Sequence, residues 1–332
     1  MFDQLKTSPR LLLEQELRPI QGDRFQPTGF ADLGAADYRR HDGKRMLLVE
    51  SAQSVANRLE KTCLQGDGPH ISKDLEGLPY IVAKLTGETE AETSSLIEAH
   101  RINSPFIISN KKFQAEFLER SGYKRGWPIA WNKIAQTLFY LDPNALIHGV
   151  FMANLEDGRV RMPRALTGFI EAEDVMEAVS GGVKNNAIDP TGKIRAKDYD
   201  KDVYGNVPYP RVEYTAGSIT AYFNIDLSLI SGYRLPEAAH DLLLALSLLK
   251  VRRFIASGLR LRTACDFAPA REIEVKSPAD FALPDERALL AQAQAGIKAC
   301  TEAQLFASPA VTLIETTVVL KADKKGAATA TV

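Results

Sequence analysis

Residues Lys44 to Lys61 read K-R-M-L-L-V-E-S-A-Q-S-V-A-N-R-L-E-K, and this stretch decides the fold. Met46 to Val49 is a four-residue apolar run, the length of a buried strand rather than a helix. Ser51 follows, with a side-chain oxygen suited to the unpaired N–H groups of a helix that begins at Ala52. Val55 and Leu59 recur at i and i+4 and give that helix one apolar stripe. A short strand thus feeds directly into an amphipathic helix. Its N-terminus carries small polar residues, and Asn57 and Arg58 lie one to two turns on.

Upstream, Leu11 to Pro19 reads as a short helix or strand leading into a loop. That loop, Gln21 to Ala36, holds Gly22, Gly29, Gly34 and Pro27, which forbid a long regular element. Downstream, Tyr80 to Leu85 is expected to be a strand, Glu90 to His100 a helix and Lys112 to Arg120 another helix. Leu146 to Ala153 reads as a strand, and the Asp157-Gly158 turn joins it to Arg159 to Ile170 as a hairpin. Ser180 to Arg211 is polar and rich in turn signals, and reads as a protruding loop or hairpin. Val212 to Leu227 is strand-like. Pro236 to Ser257 is the longest helix, with Pro236 near its first turn and Gly258 ending it. Leu259 to Phe267 reads as extended, Val311 to Leu320 as a late strand, and Lys321 to Val332 as a disordered tail.

Composition bounds the function. The chain has 332 residues, 41 Lys plus Arg, 42 Asp plus Glu and a formal net charge of -1. Hydrophobic residues are 45% and charged residues 25%, which excludes disorder over the whole chain. A chain of this length buries about three quarters of its unfolded surface without a metal or disulfide. Near-zero charge excludes a uniformly basic nucleic-acid binder but not one with a local basic face. Cys63, Cys265 and Cys300 are widely spaced with no C-x-x-C, so neither a disulfide framework nor a cysteine zinc site is expected. This fits a reducing cytosol, and a cytoplasmic location is the expectation. The apolar run Leu242 to Leu249 is stopped by Lys250, Arg252 and Arg253, short of the roughly 20 residues of a membrane span. Met1 to Arg18 is charged and does not read as a secretory signal.

The five histidines are scattered, and none forms H-x-x-x-H. No cofactor or metal is expected. Asp32, Asp37 and Asp42 share one loop, and acidic loop residues are mostly solvated caps; a catalytic role for them is the competing reading. The remaining signals point to phosphate. The helix opening at Ser51, Gln53 and Ser54 presents unpaired N–H groups and the positive end of a dipole. Its bland alternative is an ordinary N-cap. Arg24, Phe25, Gln26 and Thr28 combine a cation, a ring and neutral donors, a composition suited to single-stranded RNA. The bland alternative is a glycine-rich turn with Phe25 buried. Lys250, Arg252, Arg253, Arg260 and Arg262 oppose only Glu237 and Asp241 across Pro236 to Arg262. Arg260 and Arg262, two apart in an extended stretch, are expected to point the same way. Here the alternative is a solvated face with acidic partners elsewhere. Lys111 and Lys112 add further cations.

R-F-Q-P-T-G-F-A-D-L-G-A at Arg24 to Ala35, L-L-V-E-S-A-Q-S-V-A-N-R-L-E at Leu47 to Glu60 and G-L-R-L-R-T-A-C-D-F at Gly258 to Phe267 carry a family likeness. Over about Arg24 to Phe267 the chain resembles the CRISPR-associated RAMP proteins that form the repeated backbone of the type I-G (formerly I-U) effector complex. The resemblance implies an α+β fold: a modified RRM-like (ferredoxin-like) palm, β-α-β-β-α-β, with an inserted fingers subdomain and a protruding β-hairpin thumb. On that plan residues 1–62 and 131–320 form the palm, residues 63–130 the fingers and residues 180–211 the thumb. The strand Met46 to Val49 and the helix from Ala52 would be the first palm β-α unit. The glycine-rich loop common near the end of such palms is reduced to Gly258.

The same resemblance implies a non-catalytic protein that polymerises head-to-tail along CRISPR RNA, holds its backbone and leaves bases free to pair with target DNA. Its other partners would be further type I-G effector subunits, with no membrane involved. Phosphate contacts fall to Arg24, Ser51, Gln53, Asn57, Arg58, Lys111, Arg260 and Arg262, with Phe25, Gln26, Thr28, Ser54 and Lys112 beside them. Lys184, Asn185 and Asn186 would wedge the strand at the thumb. The alternative is a metal-dependent RNase of the same superfamily using the loop aspartates.

Overall fold

The computed structural model describes residues 2–30, 32–195, 197 and 204–319. The tail expected from Lys321, and Asp198, Asp200, Lys201 and Asp202 of the protrusion, lie outside the described residues. In chain order the main elements are β1 (Arg10–Pro19), β2 (Arg45–Glu50), α1 (Ala52–Lys61), β3 (Tyr80–Gly87) and β4 (Ala91–Ser94). Helices α2 (Lys111–Ser121) and α3 (Trp131–Leu141) follow, then the long strands β5 (Leu166–Lys184) and β6 (Val207–Asp226). Helix α4 (Glu237–Ala256), β7 (Arg260–Arg262), β8 (Cys265–Pro269), α5 (Glu286–Glu302) and β9 (Val311–Val318) complete the set.

The large sheet runs β7-β8-β1-β6-β5-β2, with Asp37–Arg39 beyond β2. Its inner four strands, β8, β1, β6 and β5, are all antiparallel to their neighbours. Chain order places α1 between β1 and β5, and α4 between β6 and β8. This is the β-α-β-β-α-β arrangement of an RRM-like α+β fold. The unit at Met46 therefore sits differently from its expected place. The first palm strand is β1, in which Leu11, Leu13 and Leu17 alternate inward. Strand β2 is an addition that pairs with β5.

Helix α1 packs on β5 and α4, and α4 packs on α5. Helix α4 is buried nearly all round from Leu242 to Val251, as expected of a helix between two layers. Its polar exceptions are committed inside the fold. Lys250 is buried, Arg252 donates to the carbonyls of Leu283 and Pro284, and Arg253 pairs with Asp74 and Glu286. The cation excess seen in the sequence is thus largely a clamp holding α4 to its neighbours. Gly258, at φ +80, releases the chain from α4 towards β7.

A second sheet contains β9, β3 and β4, with β9 parallel to β3. Strand β9 thus joins the segment at 63–130 rather than the large sheet. Glu90 to His100 was expected to be helical, but its first half is β4, whose residues hydrogen-bond the edge of β3. Leu146 to Ala153 was expected to be a strand. Asn144–His148 is instead a buried helical turn, and Gly149 at φ +76 separates it from the two-residue strand Val150–Phe151. A Cβ on Gly149 would stand 2.8 Å from the carbonyl oxygen of Met162, so the chain passes where only glycine fits.

Strands β5 and β6 pair from Leu166↔Ile225 to Lys184↔Val207, so the protrusion is the outer half of one hairpin whose inner half lies in the sheet. The two parts meet where Asp174, at φ +57, faces Gly217 outside the regular pairing. Beyond this point one face carries Val179↔Val212, Gly181↔Pro210 and Val183↔Pro208. The arm was expected to be polar. Within Ser180 to Arg211, Val183 at 54% exposure continues an exposed apolar face that Val179 begins.

Candidate nucleic-acid interface

Glu50, the last residue of β2, is 1% exposed and organises the site. Arg58 donates to its Oε1 at 2.9 Å, Ser54 Oγ donates to the same oxygen, and Arg262 forms an ion pair with its carboxylate. Arg58 also reaches the carbonyls of Arg260 and Leu261, while Arg262 donates to the Gln26 carbonyl at 3.0 Å. Backbone bonds complete the clasp. Gln26 N–H donates to Ala264 at 2.7 Å and Thr28 N–H to Val49 at 3.3 Å. Phe25 and Tyr214 exchange two bonds of 2.9 Å. One buried carboxylate therefore draws together the loop at Arg24, the start of α1 and β7, and the trio Glu50, Arg58 and Arg262 keeps one net positive charge. Burial holds the Arg58 pKa below its usual range and pushes the Cys265 thiol, which accepts from Arg262, up to about 11.

This geometry separates the expected contact residues. Phe25 is 1% exposed and packs edge-on against Phe267 at 5.5 Å, so its ring belongs to the core and is not open to a base. Ser51 Oγ accepts from Ser54 N–H, and Ser54 Oγ serves Glu50. The positive end of α1 thus already faces a resident carboxylate. Arg260 and Arg262 do not point the same way, because a bulge lies between them in the β7–β8 pairing. Arg262 turns in to Glu50, while Arg260 keeps 74% of its side chain exposed. Gln53 and Asn57 are exposed and hydrogen-bonded to each other, and Arg164 donates to Gln53.

The solvent side is a track of loosely held cations. Arg24 faces Glu213 at 3.4 Å, Arg260 faces Asp266 at 3.9 Å and Lys61 faces Asp67 at 4.0 Å. Lys61–Asp67 and Arg260–Asp266 lie largely in water, where such pairs contribute about 0–1 kcal/mol and exchange readily. Glu213 beneath the exposed Arg24 is buried and shared with Arg211. Arg24 and Arg260 line one depression of about 510 Å³ with Gly22, Glu213 and Asp266. Arg260 also lines the next, of about 260 Å³, with Arg58, Lys61 and the apolar Phe254 and Leu261. Gln26 and Thr28 line a third, of about 560 Å³, against Val212 and Tyr214 at the base of the arm.

The other expected contacts lie elsewhere. Lys111 and Lys112 open α2, whose cap Asn110 is tied to Glu315 of β9. Lys184 and Asn185 are exposed near the arm tip. The Asn186 amide donates to the Tyr204 carbonyl and its oxygen accepts from Ile188 and Asp189 N–H, so this side chain shapes the tip. Ile188, which sequence reasoning passed over, is 88% exposed there. Glu50 was also missed; its one signal was a charged residue ending an apolar strand.

The loop aspartates do not gather. Asp37 pairs with Arg45, and Asp42 pairs with Arg40, whose hydrogen bond holds its carboxyl down at about 2. Among the described residues no group of three or more His, Cys, Asp or Glu side chains is placed to hold a metal. No described helix is long and apolar enough to cross a membrane.

Comparison with known proteins places the chain in a family. The model of the CRISPR-associated protein GSU0053 family, Cas_GSU0053, matches residues 11–177, and the chain belongs to that family. No curated protein matches it. Among solved structures, a chain of a "CRISPR RNA-guided surveillance complex, pre-nicking" is similar at 14% identity, with 89% of this chain and 87% of that one covered and a TM-score of 0.41. Csc2 of Thermofilum pendens is similar at 12% identity, with 91% and 78% covered and a TM-score of 0.30. A chain of a second "CRISPR RNA-guided surveillance complex" is similar at 12% identity, with 74% and 71% covered and a TM-score of 0.28.

Proposed function

We propose that this protein is the repeated, non-catalytic backbone subunit of a type I-G CRISPR effector complex, which binds CRISPR RNA along its sugar-phosphate backbone in the cytoplasm. The observation that carries this reading is the cation track Arg24–Arg260–Lys61, which crosses two adjoining depressions on a clasp built from three distant parts of the chain. Exposed cations with weak partners suit phosphates, which position a strand without reading its sequence. The clasp beneath, centred on Glu50, fixes their spacing. The large sheet and α1 would be the palm, residues 63–130 with β9 the fingers, and the outer hairpin the thumb.

In this reading the subunits add head-to-tail, a heterologous contact that propagates along the RNA. The apolar face of the arm and Ile188 at its tip displace a nucleotide, while the remaining bases pair with target DNA. Other effector subunits cap the ends.

The test is the double variant Arg24→Ala/Arg260→Ala. Each lost phosphate contact lowers the salt slope of single-strand binding by about 0.7, so the pair should lower it by about 1.4 for every guide sequence. An unchanged slope refutes the track. Arg262→Ala would be a poor probe, because it breaks the clasp. The ribonuclease alternative requires divalent-metal-dependent cleavage of labelled RNA that is lost on Asp32→Ala; the expected result is no cleavage.

A further inference from the structure

The chain has two tryptophans, Trp127 and Trp131, and both are exposed, at 68% and 47%. Indoles bury most of their area in ordinary folds, so two exposed ones in a single segment call for a ligand or a partner. Trp131 lines a groove of about 360 Å³ with Arg161, Met162, Pro163, Leu229 and Tyr233. On its other side the Arg161 guanidinium lies 4.3 Å from the centre of the Phe151 ring, itself 44% exposed. Arg159 donates to the Trp127 carbonyl at 2.9 Å and Gly126 N–H donates to Asp157, so the stretch that carries the second, exposed indole is bonded to the stretch that carries Arg161.

The charge here is one-sided. Residues 119–133 and 156–164 hold seven cations (Arg120, Lys124, Arg125, Lys133, Arg159, Arg161, Arg164) and three acids (Glu119, Glu156, Asp157). Asp157 is already taken by Tyr123, Gly126 and Arg159. Lys124, Arg125, Lys133 and Arg161 are exposed and form no ion pair among the described residues. Arg164, which donates to Gln53, marks the border with α1.

We propose that this surface is a second, independent binding platform for a single strand of nucleic acid. Unpaired bases stack on Trp131 and Trp127, and Lys124, Arg125, Lys133 and Arg161 hold the phosphates. Rings set among unpaired cations are the composition of sequence-tolerant single-strand binders. A protein partner would have to bring a matching cluster of acids, whereas a polynucleotide offers a negative charge and a ring at every residue. Contacts through phosphate and base face leave the sugar unread, so the platform takes DNA and RNA strands alike.

Because both indoles lie on the platform, the intrinsic tryptophan fluorescence of the full chain reads it directly. The experiment titrates the protein with oligothymidylate and oligouridylate across a salt series, with duplex DNA for comparison. Saturable quenching by both single strands is expected, with affinities within about threefold of each other and weaker quenching by duplex. Lys133→Ala/Arg161→Ala should lower the salt slope by about 1.4. Trp131→Ala should weaken binding roughly tenfold. Arg24→Ala/Arg260→Ala should leave the quenching intact, which separates this platform from the guide track. Oligonucleotide binding seen by anisotropy without quenching would overturn the proposal and leave the guide track standing. Absent quenching, equal quenching by duplex, or an unchanged salt slope in Lys133→Ala/Arg161→Ala would each overturn it too, the first leaving the surface to an acidic protein partner.

Discussion

Replacing Glu50 by Gln keeps the shape of the clasp and removes its charge. Two guanidiniums then face each other's charge across a site that is 1% exposed at its centre. Removing one partner of a buried ion pair costs about 3–5 kcal/mol. The side chains of Arg58 and Arg262 keep 30% and 24% of their surface in water, which screens part of that cost. A loss of about 2–4 kcal/mol is therefore expected. Unfolding entropy of about 2.1 cal/mol/K per residue over 332 residues gives roughly 0.7 kcal/mol/K, so Tm should fall by about 3–6 °C. Adding Arg262→Met removes one of the stranded charges and should restore part of the loss, a coupling of about 0.5–3 kcal/mol in a double-mutant cycle. Calorimetry of wild type, both single variants and the double variant checks this. A Glu50→Gln protein melting within about 1 °C of wild type, or a cycle with no coupling, would refute the assignment of Glu50 as the hub.

Phe25→Ala should cost about 3–5 kcal/mol by opening a cavity against Phe267, yet leave the salt slope of RNA binding unchanged, since the ring is inside. Gly149→Ala should destabilise by more than 1 kcal/mol in chemical denaturation, because its Cβ meets the Met162 carbonyl at a positive φ. His148 is fully buried, and burial together with Lys250 holds its pKa well below 6.5. The unfolded chain therefore binds a proton below pH 6.5 that the folded chain refuses, and stability falls as pH drops through that window by up to about 1.4 kcal/mol per unit. Asp142, raised to about 6 by burial, works in the opposite sense as pH drops from 6 towards 3.8. Comparing wild type with His148→Leu between pH 7 and 5 cancels the Asp142 contribution. Equal pH dependence in the two proteins would exclude His148 as the source.

The sequence exposed what depends on local period and failed where distant partners decide. Met46 to Val49, the helix stripe of Val55 and Leu59, and the ends of α4 at Pro236 and Gly258 follow from rules that act within one element. The segment Leu146 to Ala153 is apolar throughout, and its period does not separate a buried helical turn from a strand; the close approach of Gly149 to Met162 settled it. Strand β4 exists because the edge of β3 offers it hydrogen bonds. The candidate site divides the same way. Residue types picked out Arg24, Arg58, Arg260 and Arg262, but nothing in the local sequence says that Arg262 turns inward to Glu50 while Arg260 stays in solvent. That distinction comes from a bulge in β7 and from a carboxylate on the far side of the sheet.

Because the arm and the sheet are one pair of strands, the arm's length is counted in residues. From Asp174 to Lys184 it reaches on the order of 30 Å at about 3.3 Å per residue. Two residues added to each strand would lengthen it by about 7 Å and keep Val179, Val183 and Val212 on the same face. One residue added to each would turn every side chain beyond it to the opposite face. The hairpin therefore behaves as a ruler with graduations of two residues, and any spacing it imposes on a neighbouring molecule can change only in those steps.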